Sequence, residues 1–209
     1  MSAASAAPRG RRVTVALAVL VLLAGAALVA LAVSRSERPG ADGPEAGFAR
    51  DMSEHHAQAV RMSFVVRDRT GDPETRLLAY DIINTQSAQI GMMTAWLDEW
   101  GLPKTDPSGR MRWMSGHGGG HGGPAAAMPG MATRAQLDDL EKASGRAAEV
   151  MFLKLMIAHH RGGAGMARAA LERTGHDRVR RLARTMVEGQ QAEITQMNAM
   201  LRRRGSPAV

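Results

Sequence analysis

Two short strings of residues in this chain combine side chains that can hold a metal ion. Phe48, Met52, His55, His56 and Met62 make a Phe-x3-Met-x2-His-His-x5-Met pattern, and Phe152, Met156, His159, His160 and Met166 repeat it. At about 100° per residue each string falls on one stripe of a helix. Met52 sits about one turn before its His pair, and Met62 about two turns after His55. Each stripe therefore presents two imidazoles and two thioethers. Thioether sulfur is soft, neutral and has no proton to lose, which suits Cu(I) or Ag(I). Imidazole accepts Cu(I), Cu(II) and Zn(II) alike. The leading ligand candidates are Met52, His55, His56, Met62, Met156, His159, His160 and Met166. A lone His on an apolar stripe is usually a hydrogen-bonded core residue. Adjacent His in both strings, with Met at the same offsets, favour ligation.

The elements that carry these strings follow from an internal repeat. A shift of 104 residues superposes 48–101 on 152–205 without a gap, and 18 of the 54 positions are identical. That is far above chance for this composition and indicates duplication. Each copy reads as a helical hairpin. The first helix, about 46–69, ends at Gly71 as a C′ residue. Asp72 caps the next helix with Pro73 at its first position, and Gly101 and Pro103 end it. Gly175 marks the equivalent break in the second copy. Thr133 and Gln136 form a capping-box pattern ahead of that copy. Two hairpins predict an all-α four-helix bundle. The inward stripes of the partner helices carry Gln86, Gln89, Ile90 and Met93, then Gln190, Glu193, Ile194 and Met197. Met93 and Met197 are second-rank ligand candidates. They, with Met186 and Met200, fit gap-filling in a helical core better than ligation.

The copies are joined by residues 102–132, rich in Gly and Pro and expected to form no packed element. This loop adds Met111, Met114, His117, His121, Met128 and Met131 as further second-rank candidates. The bundle thus spans 48–204, as repeat one (48–101), the loop (102–132) and repeat two (133–205).

Upstream, residues 1–12 end in Arg9, Arg11 and Arg12. Val13 to Val33 is apolar throughout and, at about 1.5 Å per residue, long enough for a hydrocarbon layer of roughly 30 Å. It reads as a transmembrane anchor or a signal peptide. The basic flank places the N-terminus in the cytoplasm, and Ala30-Leu31-Ala32 offers a cleavage site. Residues 34–47 read as a linker. The expectation is an exported protein, anchored to the outer face of the cytoplasmic membrane or secreted after cleavage.

Composition narrows the function. The chain has 15 Met and no Cys, so disulfides, thiolate sites and thiol nucleophiles are excluded, as suits an oxidising compartment. Its net charge of +7 is spread along the chain without interleaved aromatics, against nucleic-acid binding. Glu-x-x-His, which di-iron bundles need, is absent, as is His-Glu-x-x-His. No enzyme is expected, a copper-dependent redox activity being the remote alternative.

The Met-x-x-His-His helices, the Gln-bearing partner helix ending in Trp-Leu, and Phe152-Leu-Lys-Leu-Met-Ile-Ala-His-His160 resemble an exported family, domain of unknown function number three hundred and five. The resemblance covers about 48–204. It implies a ferritin-like four-helix bundle outside the cytoplasmic membrane, some of whose members bind copper or silver through Met and His. The expected function is extracytoplasmic buffering or carriage of Cu(I), Cu(II) or Ag(I), with another metal-handling protein as partner. The alternative is a structural or interaction bundle whose His pairs are core.

Overall fold

The computed structural model describes residues 9–36, 38–107, 109–114 and 128–209, and within the first helix the side chains of 13–29. His117 and His121 lie outside the described residues. Among the described residues six α-helices follow in order: α1 (Arg9–Ser36), α2 (Pro44–Arg69), α3 (Pro73–Trp100), α4 (Arg134–Lys142), α5 (Gly145–Arg173) and α6 (Asp177–Arg203). A 3-10 turn, Arg112–Met114, lies between α3 and α4. No strand occurs among the described residues.

The chain divides into two units, residues 1–38 and 39–209. The first is α1, whose described side chains are all exposed. Among the described residues no helix is long and apolar enough to cross a membrane. The expected membrane-crossing helix over Val13–Val33 is therefore not supported.

The second unit is a helical bundle. α2 packs with α3, α5 with α6, and α2 packs on α5. Pairing within a hairpin is local, because Gly71 and Gly175 leave short connections. Neither glycine adopts a left-handed conformation, contrary to the expected C′ role. Instead α2 and α5 end at Thr70 and Thr174 in extended backbone. Each threonine hydroxyl then accepts the N–H two residues on, from Asp72 and His176. Asp72 caps α3 by accepting from Thr75 N, and Gly101 ends that helix at φ +70°. The Thr133–Gln136 capping box is fully formed on α4.

The core falls into two apolar clusters. One gathers Phe48, Met52, Met93, Met166 and Met186; the other gathers Met62, Phe152, Met156, Met197 and Met200. Met52, near the start of α2, thus shares a cluster with Met166, late in α5, while Met62 shares one with Met156. α2 and α5 therefore cross antiparallel, with the His pairs between the clusters.

Candidate metal centre

All four imidazoles are buried: His55, His56 and His160 are fully enclosed and His159 is 1% exposed. Adjacent positions on α2 and on α5 put each pair's rings about 100° apart on the helix. Ring centroids are 6.4 Å apart for His55 and His56 and 6.3 Å for His159 and His160. The repeats meet at the inner pair, where the His55 and His159 rings approach to 3.8 Å with 33° between their planes.

Every one of these rings spends its Nε2 on an oxygen. His55 Nε2 donates to the Pro129 carbonyl at 3.0 Å, and His159 Nε2 to the His55 carbonyl at 2.9 Å. His56 Nε2 donates to Gln89 Oε1 at 2.7 Å, and His160 Nε2 to Glu193 Oε2 at 2.5 Å. Carbonyls and carboxylates only accept, so the proton sits on Nε2. All four Nδ1 atoms are buried with no hydrogen-bond partner. A buried acceptor left unpaired costs about 1–3 kcal/mol. Imidazole nitrogen of this kind is the donor type a borderline-to-soft cation accepts.

Electrostatics keep three of the rings neutral. Burial pushes His55 down to about 4, with the Pro129 bond opposing and His160 adding to the fall. Burial and then the neighbouring His55 lower His56 to about 3. Burial, then His55, hold His159 well below the ordinary imidazole value. A ring that does not protonate keeps its lone pair for a metal.

The thioethers are arranged differently from the sequence expectation. Met52, Met62, Met156 and Met166 are all fully buried, yet the antiparallel crossing splits them between the two apolar clusters. Met93 and Met197 are buried in those same clusters. The four imidazoles are brought to one layer, flanked by a cluster on either side. They do not form a ready-made cage, because among the described residues no three His, Asp or Glu side chains are grouped to hold one ion.

The loop joining the repeats is not wholly unpacked. Trp113 is buried, packs edge-on against Phe48 at 5.9 Å and donates Nε1 to Asp51 at 2.8 Å. Burial raises the Asp51 carboxyl, against the Met111 and Trp113 N–H bonds. Met111, Met114 and Met131 pack partly buried against the first cluster, and Met128 is buried in it. Residues 128–132 then cross the His layer as a strap, for Ala132 belongs to the second cluster. Gln58 grips the strap by donating to Ala132 O at 3.0 Å and accepting from Ala132 N at 2.7 Å. On the other side Gly162 admits it: a Cβ there would lie 1.9 Å from the Pro129 oxygen. The Pro129 carbonyl, Gln89 and Glu193 are site components to which the sequence reading gave no role. For the last two, their place on the inward stripes, equivalent under the repeat, was the available clue.

The model for the family described as domain of unknown function (DUF305) matches residues 45–201, and the chain belongs to this family. Its structure is similar to that of a DUF305 protein from Streptomyces coelicolor described as secreted. The two are 50% identical, with 81% of this chain and 99% of that one covered and a TM-score of 0.75. It is also similar to CopM in its Cu(II)-bound form, at 26% identity, over 77% of this chain and 97% of that one, with a TM-score of 0.58. CopM in its Cu(I)-bound form is 26% identical as well. An uncharacterized protein of Acanthamoeba polyphaga mimivirus is 40% identical over 52 residues, 25% of this chain. That match spans 34% of the viral protein's length.

Proposed function

We propose that this protein binds Cu(I) or Ag(I) outside the cytoplasm, as a buffer or carrier without turnover. The observation that carries the reading is the set of four buried Nδ1 atoms, each freed by a hydrogen bond on the opposite ring nitrogen. An imidazole held through its far N–H by a carbonyl or carboxylate is the usual preparation of a metal ligand. Copper-bound CopM, with a related fold, supports the choice of metal. Cu(I) and Ag(I) tolerate low coordination numbers, so the close His55–His159 pair with a thioether is a sufficient starting set. His56, His160, Met52, Met62, Met156 and Met166 complete the candidate donors. Export is supported by the secreted description of the Streptomyces relative. The apolar run Val13–Val33 would serve as the export signal or the membrane anchor, and delivery would be to another metal-handling protein.

The test is a titration of the full-length protein with Cu(I), Ag(I), Cu(II) and Zn(II), read by direct metal analysis and thermal shift. The wild type takes up Cu(I) and Ag(I) and melts higher with them. Changing His55, His56, His159 and His160 together to Ala abolishes uptake. Unchanged uptake in that variant would rule out the His layer. No metal-dependent shift in the wild type would favour a structural bundle, the reading to which the wholly buried methionines lend weight.

A further inference from the structure

The two repeats hold their outer imidazoles alike but with different partners. His56 donates to the amide oxygen of Gln89, and His160 donates to the carboxylate of Glu193. Residues 89 and 193 are equivalent under the 104-residue shift. The inner imidazoles donate to main-chain carbonyls. Of the four acceptors on the His layer, one is therefore an anion. The acids next along α2 are engaged elsewhere. Asp51 accepts from Met111 N and Trp113 Nε1, and Glu54 is paired with Arg110.

An amide oxygen only orients a ring. A carboxylate also strengthens the opposite nitrogen as a donor and supplies charge. Neutral imidazoles and thioethers leave an ion's full charge in a poorly solvated place, where a counter-charge is needed. One carboxylate balances one unit of charge and leaves a doubly charged ion in excess. We infer that Glu193 is a positioning residue that makes His160 the strongest nitrogen donor and matches the layer to a singly charged soft cation. This rests on the copper and silver reading and deepens it, assigning selectivity to a residue outside the donor set.

The experiment compares wild type, Glu193→Gln, Gln89→Glu and the double exchange in the full-length protein. Cu(I) affinity is measured against a competing chelator, and Ag(I) and Zn(II) affinities by titration. Glu193→Gln gives the second repeat the amide already tolerated in the first. Metal-free melting should change little, while Cu(I) and Ag(I) affinity falls about 10–100-fold. Gln89→Glu, with two carboxylates on the layer, should narrow the preference for Ag(I) over Zn(II). The double exchange should restore the monovalent preference, which a loss of packing at residue 193 would not allow. Cu(I) and Ag(I) affinities within about twofold of wild type in Glu193→Gln would overturn this inference and leave the copper reading standing. So would a double exchange as weak as Glu193→Gln. A wild type that takes up neither ion would overturn both.

Discussion

The two repeats share a scaffold and part company where they meet the His layer. Their common parts are set by local chemistry. Arg76 and Arg180 occupy equivalent places, each donating to the last carbonyls of the preceding helix, at Thr70 and Thr174. Thr70 donates to Glu149 and Thr174 to Glu45, so each repeat's break is tied to the N-terminal part of the other repeat's first helix. Three of the differences bear on the layer and the bundle ends. Gln58 of the first repeat faces Gly162 of the second across the strap. Trp100 corresponds to Arg204, which bonds Glu149 at 2.6 Å and Asp72 at 2.6 Å. Gln89 corresponds to Glu193. The duplicated half supplies the frame and the buried imidazoles. The divergent residues close the layer, lock one end and give it charge.

Acid challenges both repeats at once and should have the largest effect. In the unfolded chain His titrates near 6.5, whereas folded His55 titrates at about 4 and His56 at about 3. The unfolded state therefore binds more protons below pH 6.5. Stability is full above that value and falls as pH drops toward the folded values. Each such imidazole contributes a slope of about 1.4 kcal/mol per pH unit. Denaturant unfolding between pH 7.5 and 4.5 measures it, and a flat profile would contradict the neutral buried layer. His56→Gln should make the slope shallower.

The next largest effect separates the locked end from its open counterpart. Arg204→Ala takes the cation from buried Glu149, leaving it the Thr70 hydroxyl, and should destabilise by about 3–5 kcal/mol. Glu45→Gln, at the pseudo-equivalent position, where the partner among the described residues is the Thr174 hydroxyl, should cost about 1 kcal/mol or less. Equal losses in the two variants would mean that the ends are equivalent after all.

The strap offers a finer comparison. Gly162→Ala forces a Cβ against the Pro129 carbonyl and should cost about 1–3 kcal/mol. Faster proteolysis between residues 102 and 132 would accompany it. Gln58→Ala removes two hydrogen bonds to Ala132 without a clash, and about 1–2 kcal/mol is expected. If Gly162→Ala instead stabilises, as an Ala in an open helix would, the strap does not cross α5 as described.

Much of this molecule was legible in its residues. The helix breaks at Thr70-Gly71 and Thr174-Gly175, the Asp72 cap, the Thr133–Gln136 capping box and the buried stripes of α2 and α5 all follow from local pattern. Local pattern reaches only about one turn along a helix, so it set which faces are buried. It could not set which residue of one repeat faces which residue of the other.

By itself the sequence determined the duplication, the helices and the burial of four histidines, because periodicity and caps act within a segment. Only the tertiary structure decided how those histidines are used. The antiparallel crossing of α2 and α5 stacks His55 on His159 and sends the four methionines of the two strings to opposite clusters. The crossing of the strap brings in a carbonyl from Pro129, 74 residues from His55. The partners Gln89 and Glu193 are fixed by hairpin packing at a separation of 33 residues. Nitrogen tautomers, and with them the free Nδ1 atoms, depend on such contacts between distant segments, and no spacing within a helix encodes them.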